Sequence, residues 1–422
     1  MTTAAAPLTR EDFERLEEER LALYASKSGR SARPLGAIES SAGDVRTAYV
    51  RDRDRIIHAR AFRRLKHKTQ VFIPYEGDHF RTRLTHTIEV SQIARSAARS
   101  LGLNEDLAEA IALGHDLGHT PFGHSGEKVL DRLLREGHPE AGGFKHNYQS
   151  VRVVDRLEKR YEHPGLNLTH DVREGIFKHT TWKASFPFPL DFPEGLRLES
   201  GGSLEAQLVN WADEIAQQTH DLEDGLPLAD DQEIEELEVA RRVRATRGYG
   251  RDAASRWAGL IRGLIATLTA DLVESSRVRI DRWLESTGIS TADQFYSRRE
   301  RLPGDLIGFS EQGKRDYREL RDFVYRHVIH SFPVSRHDGH ARRVLSRLFA
   351  AYCENPRLLP DSVLRDISLQ LGTRFLRDVP LDEVDREAAE YLERPGFYRV
   401  IADHIAGMTD SYCNAEYHEL VG

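Results

Sequence analysis

From Arg83 to Leu101 the apolar residues Val90, Ile93, Ala94, Ala97, Ala98 and Leu101 recur at spacings of three and four, the period of one helical face. The same period returns in Leu107, Ala110, Ile111 and Gly114, behind Asn104 as an N-cap, and in Val209, Ala212 and Ala216. Helices are therefore expected over roughly 83–101, 104–117 and 204–223. Others are expected over 11–24, 51–68, 144–157 and 253–274, and one capped by Ser125 and ended by Gly137. Runs of alternating β-branched residues are few, so the chain reads as all-α, a helical bundle with additional C-terminal helices. Its 422 residues divide into an N-terminal helix and flexible segment (1–50), a core (51–225) and a helical C-terminal region packing on that core (226–422).

Several polar residues sit where a helix buries apolar ones. His86 lies one turn before Val90 on the same stripe, and His115 extends the series of Leu107 by eight residues, with Asp116 directly after it. Asp213 shares the apolar face of Val209, Ala212 and Ala216, and Gln217, His220 and Asp221 continue that face. A lone buried histidine is commonly a hydrogen-bonded core residue, and a buried Asp can pair with an Arg or a helix terminus. A metal ion gives His86, His115, Asp116 and Asp213 one shared reason to face inward. Two imidazoles with two carboxylates suit Mn, Mg, Fe, Co, Ni or Zn and leave positions for water and a phosphate oxygen.

The stretch Leu113–Glu127, LGHDLGHTPFGHSGE, concentrates this chemistry. Its glycines and Pro121 break the helix. His119 falls on the side of His115 if the helix persists that far. Glu127, three residues after His124, is either a first-turn cap or half of a catalytic pair with it.

With 68 acidic and 60 basic residues the net charge is −8, which argues against coating of nucleic acid by the whole surface but leaves room for a local basic pocket. The segment Arg51–Lys68, with Ile57, Ala61 and Leu65 four apart among many Lys and Arg, reads as an amphipathic helix. It is a solvated face, a pocket wall or a contact for single-stranded DNA. Cys353 and Cys413 form neither a disulfide framework nor a Cys-type zinc site. No apolar run reaches the length of a membrane span and the start lacks an apolar leader, so a cytoplasmic protein with no membrane partner is expected.

In order, the blocks RDRDRIIHARAFRRLKHKTQVF, RTRLTHTIEVSQIARS, ALGHDLGHTPFGHSGE, ADEIA and IAGMTDSY resemble the HD-domain phosphohydrolases, and more closely the bacterial dGTP triphosphohydrolase-like family. The resemblance implies an HD-domain helical bundle that hydrolyses a dNTP to deoxynucleoside and triphosphate with a divalent metal. It implies His86, His115, Asp116 and Asp213 as metal ligands and His124 with Glu127 as the catalytic pair. It further implies His119 and His146 along the phosphates, Arg83 on the α-phosphate, Gln70 and Val71 at sugar and base, Asp221 at the 3′-hydroxyl and Tyr325 in the pocket. Gln217 stands where relatives often carry a Tyr that stacks on the sugar. The resemblance also implies a homo-oligomer, hexamer or tetramer, with a dNTP effector between subunits.

Overall fold

The computed structural model describes residues 7–36, 38, 43–70, 81–179, 195–197, 199–247 and 253–422, and among them the secondary structure is helical. The only β-pairing among these residues is an isolated bridge between Thr69 and Thr82. The first half of the chain forms α1 (Arg10–Arg20), α2 (Ala48–Ile57), α3 (Arg60–Arg64), α4 (Arg83–Leu101), α5 (Glu105–Gly114), α6 (Gly123–Arg132), α7 (His146–Arg152), α8 (His170–Phe177) and α9 (Leu204–Gly225). The rest comprises α10 (Asp231–Glu236), α11 (Glu238–Arg247), α12 (Ala253–Thr287), α13 (Ala292–Tyr296), α14 (Glu311–Val324), α15 (Phe332–Glu354), α16 (Asp361–Leu371), α17 (Val384–Leu392), α18 (Pro395–Ala406) and α19 (Asp410–Leu420).

Helices α4, α5 and α9 pack on one another, and α5 also touches α2 and α8. Their ends are set locally. Thr85 Oγ1 accepts from the N–H of Thr82 at 3.2 Å, and Gly102 ends α4 in the left-handed conformation (φ 67°), which glycine adopts without strain. Asn104 Oδ1 accepts from the N–H groups of Asp106 and Leu107, both at 3.1 Å. Every residue of α5 from Leu107 to Gly114 is buried except Glu109.

The helices after residue 225 are divided between two apolar cores. Residues of α11, α12 and α14 share the core of α4, α5 and α9. Helices α15 to α19 build a second core with Phe122, Val129, Leu130 and Phe144. The stretch 115–127 therefore runs from the first core into the second.

Five expectations are corrected. The single helix expected over 51–68 is two, because Ala59 is extended and Glu158 caps the second, accepting from the N–H of Arg60 (3.1 Å) and Ala61 (2.7 Å). The helix expected to reach Leu117 ends at Gly114, and the 253–274 helix continues to Thr287. Ser125 caps nothing: α6 starts at Gly123 behind Phe122, and the Ser125 hydroxyl donates to Asp338. The segment 26–34, expected to be flexible, is pinned. Ser26 donates its N–H and hydroxyl to Glu205, both at 2.9 Å, and buried Lys27 donates to the carbonyls of Glu17, Leu21 and Ala22. Arg33 there bonds Asp52 and the carbonyls of Ala48 and Asn167.

Candidate metal and phosphate site

Helix α5 ends where the chemistry starts. The His115 ring Nδ1 donates to the Ala112 carbonyl at 2.5 Å, which fixes the tautomer and leaves Nε2 buried without a hydrogen-bond partner. After it the chain turns tightly. The Gly118 N–H donates to Ser150 Oγ (2.8 Å), which donates to the His115 carbonyl (2.7 Å), and a side chain at 118 would collide with the Ser150 backbone.

Two groups of possible ligands overlap at His115: His86, His115 and Asp213, and His115, Asp116 and His179. His86 of α4 places Nε2 2.8 Å from Asp213 Oδ1 of α9. His115 Nε2 stands 3.7 Å from that oxygen and 3.3 Å from Asp116 Oδ1. Ligands on adjacent positions of one ion are roughly 3 Å apart for bonds of about 2.1 Å. An orphaned imidazole nitrogen facing two carboxylates is the donor set a divalent ion takes, so these residues fit a metal.

The electrostatics agree. Burial alone would raise both carboxyls, but His115, His119 and Arg83 hold Asp116 well below the usual range, and the hydrogen bond from His86 with the nearby histidines does the same for Asp213. His86 moves the other way: burial disfavours its cation, and Asp213 outweighs that and raises its pKa. Two histidines complete this end. His179, just past α8, lies with its ring 4.6 Å from that of His115 and its Nε2 3.8 Å from Asp213 Oδ2, and burial lowers its pKa to about 3. His220 sets Nδ1 3.3 Å from His86 Nδ1 and Nε2 3.0 Å from Glu89.

A second group adjoins the first. Arg83 donates Nη1 to Asp116 Oδ2 at 2.7 Å and keeps Nε and Nη2 buried without partners. His119 Nε2 is 3.1 Å from Asp116 Oδ1, and its ring stacks on that of His146 at 4.0 Å. His119 Nδ1, His146 Nε2 and Gln70 Oε1 are likewise buried and unpaired. Buried polar atoms are rarely left so. Here several converge beside His86, His115, Asp116 and Asp213, and the two free nitrogens of Arg83 are donors that phosphate oxygens would satisfy.

Glu127 does not face His124 alone. Its Oε2 accepts from His146 Nδ1 (2.5 Å) and from the His146 backbone N–H (3.1 Å). Burial would raise Glu127, and His146 with His124 pulls it to about 2. His124 opens to solvent at the start of α6, its ring 5.1 Å from that of His119. Its enclosed side, with the charges of His146 and Arg83, lowers its pKa to about 4 rather than tuning it near neutrality. Ligand atoms of His119, His124, Glu127 and His146 nevertheless lie within 4.8 Å of one another.

The remaining candidates are more scattered. Asp221 is buried on α9, and burial raises it to about 7. Gln217 is half-buried on the same helix. Tyr325 is 52% exposed, and its ring lies against His330. Val71 falls outside the described residues. His179 stands two residues past the end of α8 and three after Ile176, so its continuation of the buried pair Val172 and Ile176 is the signal that finds it.

Residues 83–217 match the HD domain, and residues 307–419 match the phosphohydrolase-associated domain. The chain is similar to the deoxyguanosinetriphosphate triphosphohydrolase-like protein of Bordetella pertussis (strain Tohama I), 43% identical over 382 residues, which is 89% of this chain and 90% of that protein. It is 41% identical over 418 residues to the protein of that description from Geobacter sulfurreducens (strain PCA), covering 97% of both, and 40% identical over 410 residues to that of Thiobacillus denitrificans, covering 94% and 97%. On identity that spans nearly all of each chain, this all-α protein belongs to the HD-domain deoxyguanosinetriphosphate triphosphohydrolase-like family.

Proposed function

We propose that this HD-domain hydrolase is a metal-dependent dNTP triphosphohydrolase that converts dGTP, or several dNTPs, to deoxynucleoside and triphosphate. The observation that carries the reading is the set of unpaired buried atoms on Arg83, His119 and His146, directly beside His86, His115, Asp116 and Asp213. One monophosphate needs fewer partners than these residues offer, which favours a triphosphate over a nucleoside monophosphate or another simple phosphoester.

His86, His115, Asp116 and Asp213 would hold a divalent ion, which would supply Lewis acidity and positive charge to the phosphate chain when bound. Arg83, anchored by Asp116, directs its free Nη2 at the α-phosphate and offsets charge that grows in the transition state. His119 and His146, stacked and fixed by Asp116 and Glu127, hold the β- and γ-phosphates. Water attacks the α-phosphorus as the bond to the 5′-oxygen breaks; the water oxygen and one of its protons leave with the triphosphate, and the second water proton replaces the one taken up by the 5′-oxygen. The departing 5′-oxygen needs a proton, and His124 at the open edge is placed to donate it. Neutral in the free protein above about pH 4, it gains basicity when the polyanion arrives. Asp221 meets the 3′-hydroxyl, Gln70 and Val71 meet sugar and base, Tyr325 is a further pocket residue, and Gln217 lacks the ring that would stack on the sugar.

The basic segment supports single-stranded DNA binding less well than its composition does. Arg51 pairs with Asp44 and Arg55 donates to the carbonyls of Leu166 and Asn167, which leaves Arg60, Arg63, Arg64 and Lys66 exposed. A hexamer or tetramer with a dNTP effector between subunits, in the cytoplasm, completes the reading by family likeness. No helix among the described residues is long and apolar enough to cross a membrane.

The test is incubation of the purified protein and Mn²⁺ or Mg²⁺ with each dNTP, singly and mixed. Tripolyphosphate and deoxynucleoside are expected; release of pyrophosphate or orthophosphate alone would refute the reading.

A further inference from the structure

An imidazole that gives Nε2 to a metal must carry its hydrogen on Nδ1 and needs an acceptor for it there. His115 finds that acceptor in the Ala112 carbonyl of its own helix. His86 meets a side chain instead. Its Nδ1 on α4 stands 3.3 Å from Nδ1 of His220 on α9, with the two ring planes at 87°. Two N–H groups cannot point at each other over that distance, so one of the nitrogens presents a lone pair.

The far side of His220 decides which. Its Nε2 lies 3.0 Å from Glu89 Oε2. An ionised carboxylate only accepts, so Nε2 carries the hydrogen of the neutral ring and Nδ1 carries the lone pair. His86 therefore donates from Nδ1, and Nε2, 2.8 Å from Asp213 Oδ1, is the nitrogen left to face an ion. The end of this chain is fixed in turn. Glu89 Oε2 also accepts from Arg81 Nε at 3.1 Å, and Arg81 reaches Glu223 (2.5 Å) and Asp224 (3.0 Å) on α9. His220 itself is buried. An apolar residue would fill the seam between α4 and α9 without burying two polar nitrogens. What the imidazole adds is a directed hydrogen on its neighbour.

We propose that His220 is a positioning residue for the metal: with Glu89, which Arg81 anchors, it keeps the hydrogen of His86 on Nδ1 and makes that ring a better donor at Nε2. The two ligand histidines are thus oriented by unlike means, His115 by backbone and His86 by a chain of side chains. The inference rests on the metal reading above.

The test measures cobalt(II) binding to the full chain after removal of metal, by competition with a chelator and by the visible absorption of the bound ion, with thermal melts of the metal-free proteins to verify folding. His220 lines a cavity of about 810 Å³, so truncation to alanine would admit water to serve His86. The variants therefore retain a larger side chain. His220→Phe keeps the ring and loses both nitrogens, and is expected to bind cobalt about 10–100-fold more weakly with displaced absorption bands. His220→Asn, whose Oδ1 replaces Nδ1 as acceptor, is expected to stay within about threefold of the wild type. Glu89→Gln keeps an acceptor without the charge and is expected to fall between them; at a partly exposed position it carries the test should His220→Phe not fold. Wild-type affinity and bands in His220→Phe overturn the proposal. A loss as large in His220→Asn as in His220→Phe assigns the effect to packing and overturns it too, and wild-type affinity in Glu89→Gln overturns the part given to the carboxylate. Failure of the wild type to take up cobalt condemns the metal reading and this inference with it, whereas uptake that ignores His220 condemns this inference alone.

Discussion

The backbone N–H of Phe122 donates to Asp410 Oδ1 at 3.0 Å, across 288 residues of chain. Phe122 is held in the left-handed region (φ 61°), where a bulky residue costs about 1–3 kcal/mol. The other oxygen of Asp410 accepts from the N–H of Thr69 at 2.8 Å. One carboxylate near the C-terminus therefore fixes both the turn that aims His124 and the strand-like residue beside Gln70. Asp410→Ala is expected to lower stability by about 3 kcal/mol and to reduce kcat by more than tenfold. Urea unfolding read alongside steady-state kinetics checks both, and a variant with wild-type kcat would refute the link.

Asp213→Ala removes an oxygen that His86 and His115 both face, so the purified variant is expected to lose its bound metal. His179→Ala removes a ring at the edge of that set and is expected to weaken metal binding by about 10–100-fold without abolishing it. Metal content after dialysis against graded chelator distinguishes them. Unchanged content in Asp213→Ala would sink the ligand assignment.

Glu127 titrates in the folded protein at about 2, below its ordinary 4.5. A depressed carboxyl pKa means that its contribution is present in full above about pH 4.5 and is lost as pH falls toward 2. Glu127→Gln is therefore expected to be less stable than the wild type by about 1–3 kcal/mol at pH 7. The gap should close at acid pH, and melting curves from pH 7 to 3 measure it.

His124 offers a different pH signature. Its low pKa of about 4 in the free protein rises once a triphosphate supplies negative charge, and a general acid works only below its pKa in the complex. The alkaline limb of kcat is expected at least two pH units above the free-protein value. His124→Ala is expected to lose that limb with about 10²–10⁴-fold of the rate. A wild-type profile that retains its limb in His124→Ala would assign the proton elsewhere.

The helices that carry His86, His115 and Asp213 were legible because each is amphipathic over several turns, so periodicity alone places the polar intruders on the buried face. What stayed illegible depends on partners far along the chain. Glu158 divides the 51–68 helix, Glu205 pins Ser26, and Asp410 supports a left-handed Phe122 that displaces the cap expected at Ser125. Glu127 was seen as a neighbour of His124 in sequence, while α7, arriving from nineteen residues on, brings His146 to it. Local patterns cannot register a contact whose other half is set by tertiary packing.

The bond from His115 Nδ1 to the Ala112 carbonyl also occupies one of the last-turn acceptors that a helix leaves open at its C-terminus. Fraying of α5 and misdirection of His115 Nε2 are thus a single event. Whatever seizes Nε2 tightens the helix end, so the amides of 113–117 become a gauge of metal activity: their hydrogen exchange should slow as metal is added and quicken as it is withdrawn.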